Sequence, residues 1–90
     1  SAFGHATQAS ALFQKHDYQG ALAAAQQSVQ TNRNSLQGQV ILGDTLAALH
    51  RDREAAAAYD QGLAIAARME PSARADWEWT VGNKRRSLHL

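Results

Sequence analysis

Residues 35–68, SLQGQVILGDTLAALHRDREAAAAYDQGLAIAAR, decide how the chain folds. Ser35 follows Asn34, and both are good N-cap residues because a short polar side chain can accept from a free backbone N–H of the first turn. From there Leu36, Val40 and Gly43 lie on one line of a helix and Leu42, Leu46 and Leu49 on a neighbouring one, which makes a wide apolar face. The polar run His50-Arg51-Asp52-Arg53 interrupts this pattern, and Ala56, Tyr59, Leu63 and Ala66 resume it at helical spacing. The stretch predicts two antiparallel helices, over 35 to 49 and 52 to 68, joined by a tight polar turn.

Working outward, Phe3, Ala6, Ala9, Leu12 and Phe13 form one stripe and predict a helix over 3 to 15. Asp17 is placed to cap a second helix over 18 to 31, with Tyr18, Leu22, Ala25 and Val29 inward and the polar run Thr31-Asn32-Arg33-Asn34 as its end. On the other side, Pro71 and Ser72 start a fifth helix, because proline is tolerated in a first turn, and Ala73, Trp77 and Val81 recur every four residues. Gly82-Asn83 is expected to end or fray that helix, leaving Lys84 to Leu90 as a last turn or a loose tail.

The bulk properties agree with an all-α fold. About a fifth of the 90 residues are alanine, there is a single proline, and β-branched runs are absent. A net charge of +1 with mixed signs gives no field for steering nucleic acid. Without cysteine there is no disulfide framework, thiolate nucleophile or cysteine-based zinc site. The apolar runs are far shorter than the roughly 20 residues of a membrane span, so no membrane insertion is expected. The reading is of a soluble chain, with cytoplasm and periplasm both open. Its start at Ser1 rather than Met suggests a processed or excised chain.

Shifting the sequence by 34 residues superposes Leu12 on Leu46, His16 on His50, Ala21 on Ala55, Ala23 and Ala24 on Ala57 and Ala58, and Gln27 on Gln61. Together with Leu42-Gly43-x-x-Leu46, Ala55-x-x-x-Tyr59 and Gly62-Leu63, this period resembles the tetratricopeptide repeat. The first unit carries Ala9-x-x-Leu12, Tyr18-x-x-Ala21-Leu22 and Ser28-Val29, with Ala25 where the family has a large aromatic. The resemblance implies one domain over 1–90: repeat one over about 2–34, repeat two over about 35–68, and a capping helix with its tail over about 71–90. It further implies a right-handed superhelical stack of antiparallel hairpins with about five helices, Gly43 and Ala55 allowing two backbones to approach closely.

In that family the first helix of each hairpin lines a concave groove that grips a partner polypeptide. Carried over by register, the groove residues are Ala6, Ser10, Phe13 and Gln14, then Val40, Asp44, Ala47 and Ala48, with Arg74 and Glu78 extending them. Asp44 would repel a partner's terminal carboxylate, so that ligand class is not expected.

No other constellation carries chemistry. His5, His16, His50 and His89 are scattered, and His16 and His50 are expected in equivalent turns, so neither a metal nor any other cofactor is implied. The carboxylates Asp60, Glu70, Asp76 and Glu78 have no apolar setting or adjacent nucleophile, and they read as solvated helix faces of a non-catalytic chain. The cluster Lys84-Arg85-Arg86 reads as a solvated tail. Trp77 and Trp79 point about 200° apart on a helix, so Trp77 is expected in the core and Trp79 either covers the end of the array or contacts a partner.

The expected function is therefore a protein-interaction scaffold with a protein or peptide partner. Two alternatives stand beside it: a homo-oligomerisation module, and an accessory domain that positions a substrate for a larger enzyme or secretion factor. Two repeats leave apolar ends uncovered, Phe3 at one and the tryptophans at the other, which favours self-association or a neighbouring domain.

Overall fold

The computed structural model describes residues 1–90 as five helices and no strand: α1 Ala2–Gln14, α2 Tyr18–Thr31, α3 Leu36–Ala48, α4 Asp52–Ala66 and α5 Pro71–Arg86. Local chemistry sets most of the boundaries. Ser1, Asp17 and Ser35 each accept from the backbone N–H three residues on, capping α1, α2 and α3. α4 lacks a side-chain cap but has Asp52 and Glu54 in its first turn, where the helix dipole favours negative charge. Pro71 occupies the first turn of α5.

The first helices of the two hairpins end identically, 34 residues apart. His16 and His50 both take positive φ, 65° and 61°. Asp17 N–H donates to Leu12 O, as Arg51 N–H does to Leu46 O, and His16 N–H donates to Phe13 O, as His50 N–H does to Ala47 O. This is the Schellman closure, normally built on glycine, and each histidine held there costs roughly 1 kcal/mol relative to glycine.

α1 packs on α2 and α3 on α4; α3 also lies against both α1 and α2, and α5 lies against α4. The result is a compact globule with a radius of gyration of 12.0 Å. Its core has two centres. One is assembled from Ala6, Ala9, Ala24, Ala25 and Ile41, the other from Leu22, Leu46, Ala55, Tyr59 and Val81, and Leu42 packs against both.

The two hairpins fill the same space with opposite residues. A Cβ on Gly43 would run into the ring of Tyr59. Ala9 and Ala25, 34 positions earlier, are both fully buried in the first centre, so there the helix carries the methyl and the partner is small. Ala25 accordingly sits in a tightly closed site made mostly of alanines.

Three sequence expectations are corrected. Gly82-Asn83 does not end α5: the helix continues to Arg86, with Val81 and Gly82 its buried residues. The lysine and arginines of its last turn suit the negative end of the helix dipole. The basic cluster is not a free tail either. Lys84 Nζ lies 3.1 Å from Asp44 Oδ1, Arg85 Nε lies 3.1 Å from Asp60 Oδ1, and the His89 N–H donates to Asp52 Oδ2 at 2.8 Å. These ties bind the C-terminal stretch to α3 and α4. Phe3, expected on the inward stripe of α1, stands 70% exposed, because nothing packs beyond α1 on that side.

Candidate functional site

A shallow channel of about 430 Å³ lies where α1, α3 and the end of α5 come together. Phe13 supplies the α1 wall, and Ala47 and Ala48 supply the α3 wall. Leu88, just past α5, closes the remaining side, while Asp44, Tyr59 and Lys84 form the polar floor.

Each wall residue has a local reason for its position. Phe13 is half-buried in the last turn of α1 and meets the ring of Tyr18 edge-on, with centroids 5.3 Å apart. Tyr18 is itself held through its hydroxyl, 3.2 Å from His16 Nδ1. The left-handed turn at His16 thus sets how Phe13 faces the channel. Ala47 and Ala48 are half-buried and small, which leaves room above α3.

The floor is a satisfied polar network. Tyr59 O–H donates to Asp44 Oδ1 at 2.6 Å, and Lys84 Nζ lies 3.2 Å from Asp44 Oδ2. The Asp44 carboxylate is therefore paired with the Lys84 ammonium and hydrogen-bonded by Tyr59, so the free Asp44 expected to repel a partner's carboxylate is not present. Burial, and then the hydrogen bond and negative charge of Asp44, push the Tyr59 phenol well above its ordinary value, so it stays a protonated donor.

Of the residues expected to line a groove, the structure brings Phe13, Asp44, Ala47 and Ala48 together on the channel. Ala6 is buried in the first core centre and has no surface to offer a partner. Val40 packs against the second core centre. Ser10 and Arg74 are half-buried and Gln14 and Glu78 are exposed, and none of the four lines the channel. Trp77 is half-buried against the second core centre, whereas Trp79 is 70% exposed and covers nothing.

Sequence reasoning missed Tyr59, Ser87, Lys84 and Leu88 as channel residues. A signal existed for the last two: Trp77, Val81, Lys84 and Leu88 recur at four, three and four along one face of α5. Reading residues 84 to 90 as a last turn or a loose tail left this face out, and the last turn is what Lys84 to Arg86 form.

No three or more His, Asp and Glu side chains are grouped so as to hold a metal ion. No helix is long and apolar enough to cross a membrane. Comparison with protein families, with curated proteins and with solved structures gives no match.

Proposed function

We propose that the chain is a tetratricopeptide-type module: a non-catalytic scaffold whose hairpins stack as a short right-handed superhelix and hold a partner polypeptide in the channel. One observation carries this reading. The channel is walled by α1, α3 and the end of α5, the alternate helices expected to form the inner lining of such a stack, with Tyr59 of α4 reaching its floor and an apolar anchor site between Phe13, Ala48 and Leu88. The lining suits an apolar side chain of the partner, and the part-exposed Lys84 ammonium keeps a spare N–H donor for a backbone carbonyl.

Selection from a displayed random-peptide library tests it. The parent chain should enrich peptides sharing an apolar anchor, and Phe13→Ser combined with Ala48→Glu should weaken those peptides at least about ten-fold, a loss of about 1.4 kcal/mol, with unchanged circular dichroism. Peptides that bind parent and variant equally would move the site elsewhere. Asp44 is left intact because its ties to Tyr59 and Lys84 would couple any change there to stability.

A second reading is self-association through the ends. Phe3 on α1 and Trp79 on α5 are each 70% exposed, and large aromatics left in water favour burial against a second chain. Sedimentation across micromolar concentrations should show reversible growth in mass that Phe3→Ser with Trp79→Ser abolishes. A monomer throughout the range would remove this reading and leave the first standing.

A further inference from the structure

A larger depression lies on a different face, and nothing in the channel's chemistry uses it. α2 and α4 flank a slot of about 650 Å³ with Leu42 and Leu46 of α3 at its floor. Three exposed amides stand around it, Gln26 and Gln30 on α2 and Gln61 on α4.

The two ends of the slot differ in charge. Arg33 lies at the end near the start of α3, where its carbonyl accepts from Gln39 Nε2 at 3.1 Å. Its guanidinium makes no ion pair, since the salt bridges of the chain are Arg51 with Glu54, Lys84 with Asp44 and Arg85 with Asp60. Glu54 lies at the other end, in the first turn of α4, and both its oxygens are taken by Arg51. The slot therefore presents one uncommitted positive charge and no free negative one.

We infer that this slot takes a short extended segment of a partner polypeptide, apolar in its side chains and carrying a carboxylate at the Arg33 end. Primary amides both donate and accept, which is what the free N–H and C=O groups of an extended chain require; a helical occupant has already spent them. The floor from Gln39 to Leu46 is about 10 Å long at a helical rise of about 1.5 Å per residue, enough for about three extended residues. The carboxylate completes Arg33 as the only unmatched charge of the site. This inference does not depend on the channel, and either can fail without the other.

Nitrogen-15 amide spectra of the full chain test it with three acetylated six-residue probes of alternating serine and leucine. One ends in an aspartate amide, one in a free terminal carboxylate on leucine, and one in a lysine amide. The two acidic probes should shift the signals of Gln30, Arg33, Leu42 and Gln61 saturably, with the lysine probe about five-fold weaker. The tighter of the two acidic probes identifies whether the carboxylate belongs to a side chain or a chain end. Arg33→Glu should reverse the preference for charge, and Ala57→Arg, which projects a long side chain from an exposed slot position, should abolish binding while leaving the helical spectrum intact. Phe13→Ser should change none of this. No saturable shift at millimolar probe, shifts falling on Phe13, Ala48 and Leu88 instead, or an Arg33→Glu chain with unaltered preference would each overturn the inference.

Discussion

Gly43→Leu is expected to lower the free energy of unfolding by about 3 kcal/mol, the upper part of the range for overpacking a closed core. Even the first added carbon meets the Tyr59 ring, and that ring is 2% exposed and anchored through its hydroxyl to Asp44, so it cannot swing aside. A domain of this size has a total stability of only about 5 to 13 kcal/mol, so the loss is a large share of it. Gly43→Ala isolates the cause. In the parent it should destabilise by about 1 to 2 kcal/mol, the clash outweighing the roughly 1 kcal/mol that alanine gains over glycine inside a helix. In a Tyr59→Ala background, itself lowered by about 3 kcal/mol or more through the cavity it leaves, the same change should become neutral or stabilising. Urea unfolding of the four chains at neutral pH measures the coupling directly. Equal effects of Gly43→Ala in both backgrounds would mean that the ring does not occupy the space above residue 43.

Above about pH 10 the chain should lose stability by up to about 1.4 kcal/mol per pH unit through Tyr59 alone. The folded chain holds the phenol proton because burial and the neighbouring Asp44 carboxylate both oppose a phenolate. The unfolded chain releases it near the ordinary value for tyrosine. Between the two values the folded state binds more protons than the unfolded one, so stability is full below about pH 10 and falls as pH rises beyond it. By about pH 12 the accumulated loss approaches 3 kcal/mol. Tyr59→Phe should be less stable than the parent by about 1 to 2 kcal/mol at pH 7, because Asp44 loses a donor, and the deficit should shrink and then invert as the solution is made alkaline. Parallel slopes of stability against pH for parent and Tyr59→Phe would contradict the linkage.

The helices were legible in the sequence because short-range chemistry marks them. Asp17 and Ser35 cap where they stand, Pro71 restarts the chain, and the polar turns around His16 and His50 interrupt clear apolar spacing. What failed were statements that depend on residues far apart. Gly82 looked like a terminator because glycine disfavours helix locally, yet α5 continues past it, held from outside by Asp44 and Asp60, 40 and 25 residues before their partners. The register of the resemblance places Ala6 in the groove, whereas its own spacing with Ala9 and Phe13 already puts it on the inward stripe of α1, where it is buried. Phe3 fits the inward stripe by spacing alone; its exposure follows from there being no helix on that side of α1. Part of the channel was legible, through Phe13, Asp44, Ala47 and Ala48. The floor was not, since the pairing of Asp44 with Lys84 and Tyr59 exists only once three helices are assembled.

The opposite fillings of the two hairpins constrain the paths by which such a chain can change. Turning Gly43 with Tyr59 into a pair of alanines, the state held at Ala9 and Ala25, requires two substitutions, and either one taken first crosses a destabilised intermediate: a clash by one order, a hole by the other. Enlarging Ala25 to an aromatic in the first hairpin meets the same barrier from the other side. Change by single steps is therefore expected to leave each hairpin in its own state. Exchange between them is open to a whole hairpin moved as a block, and closed to its helices moved one at a time.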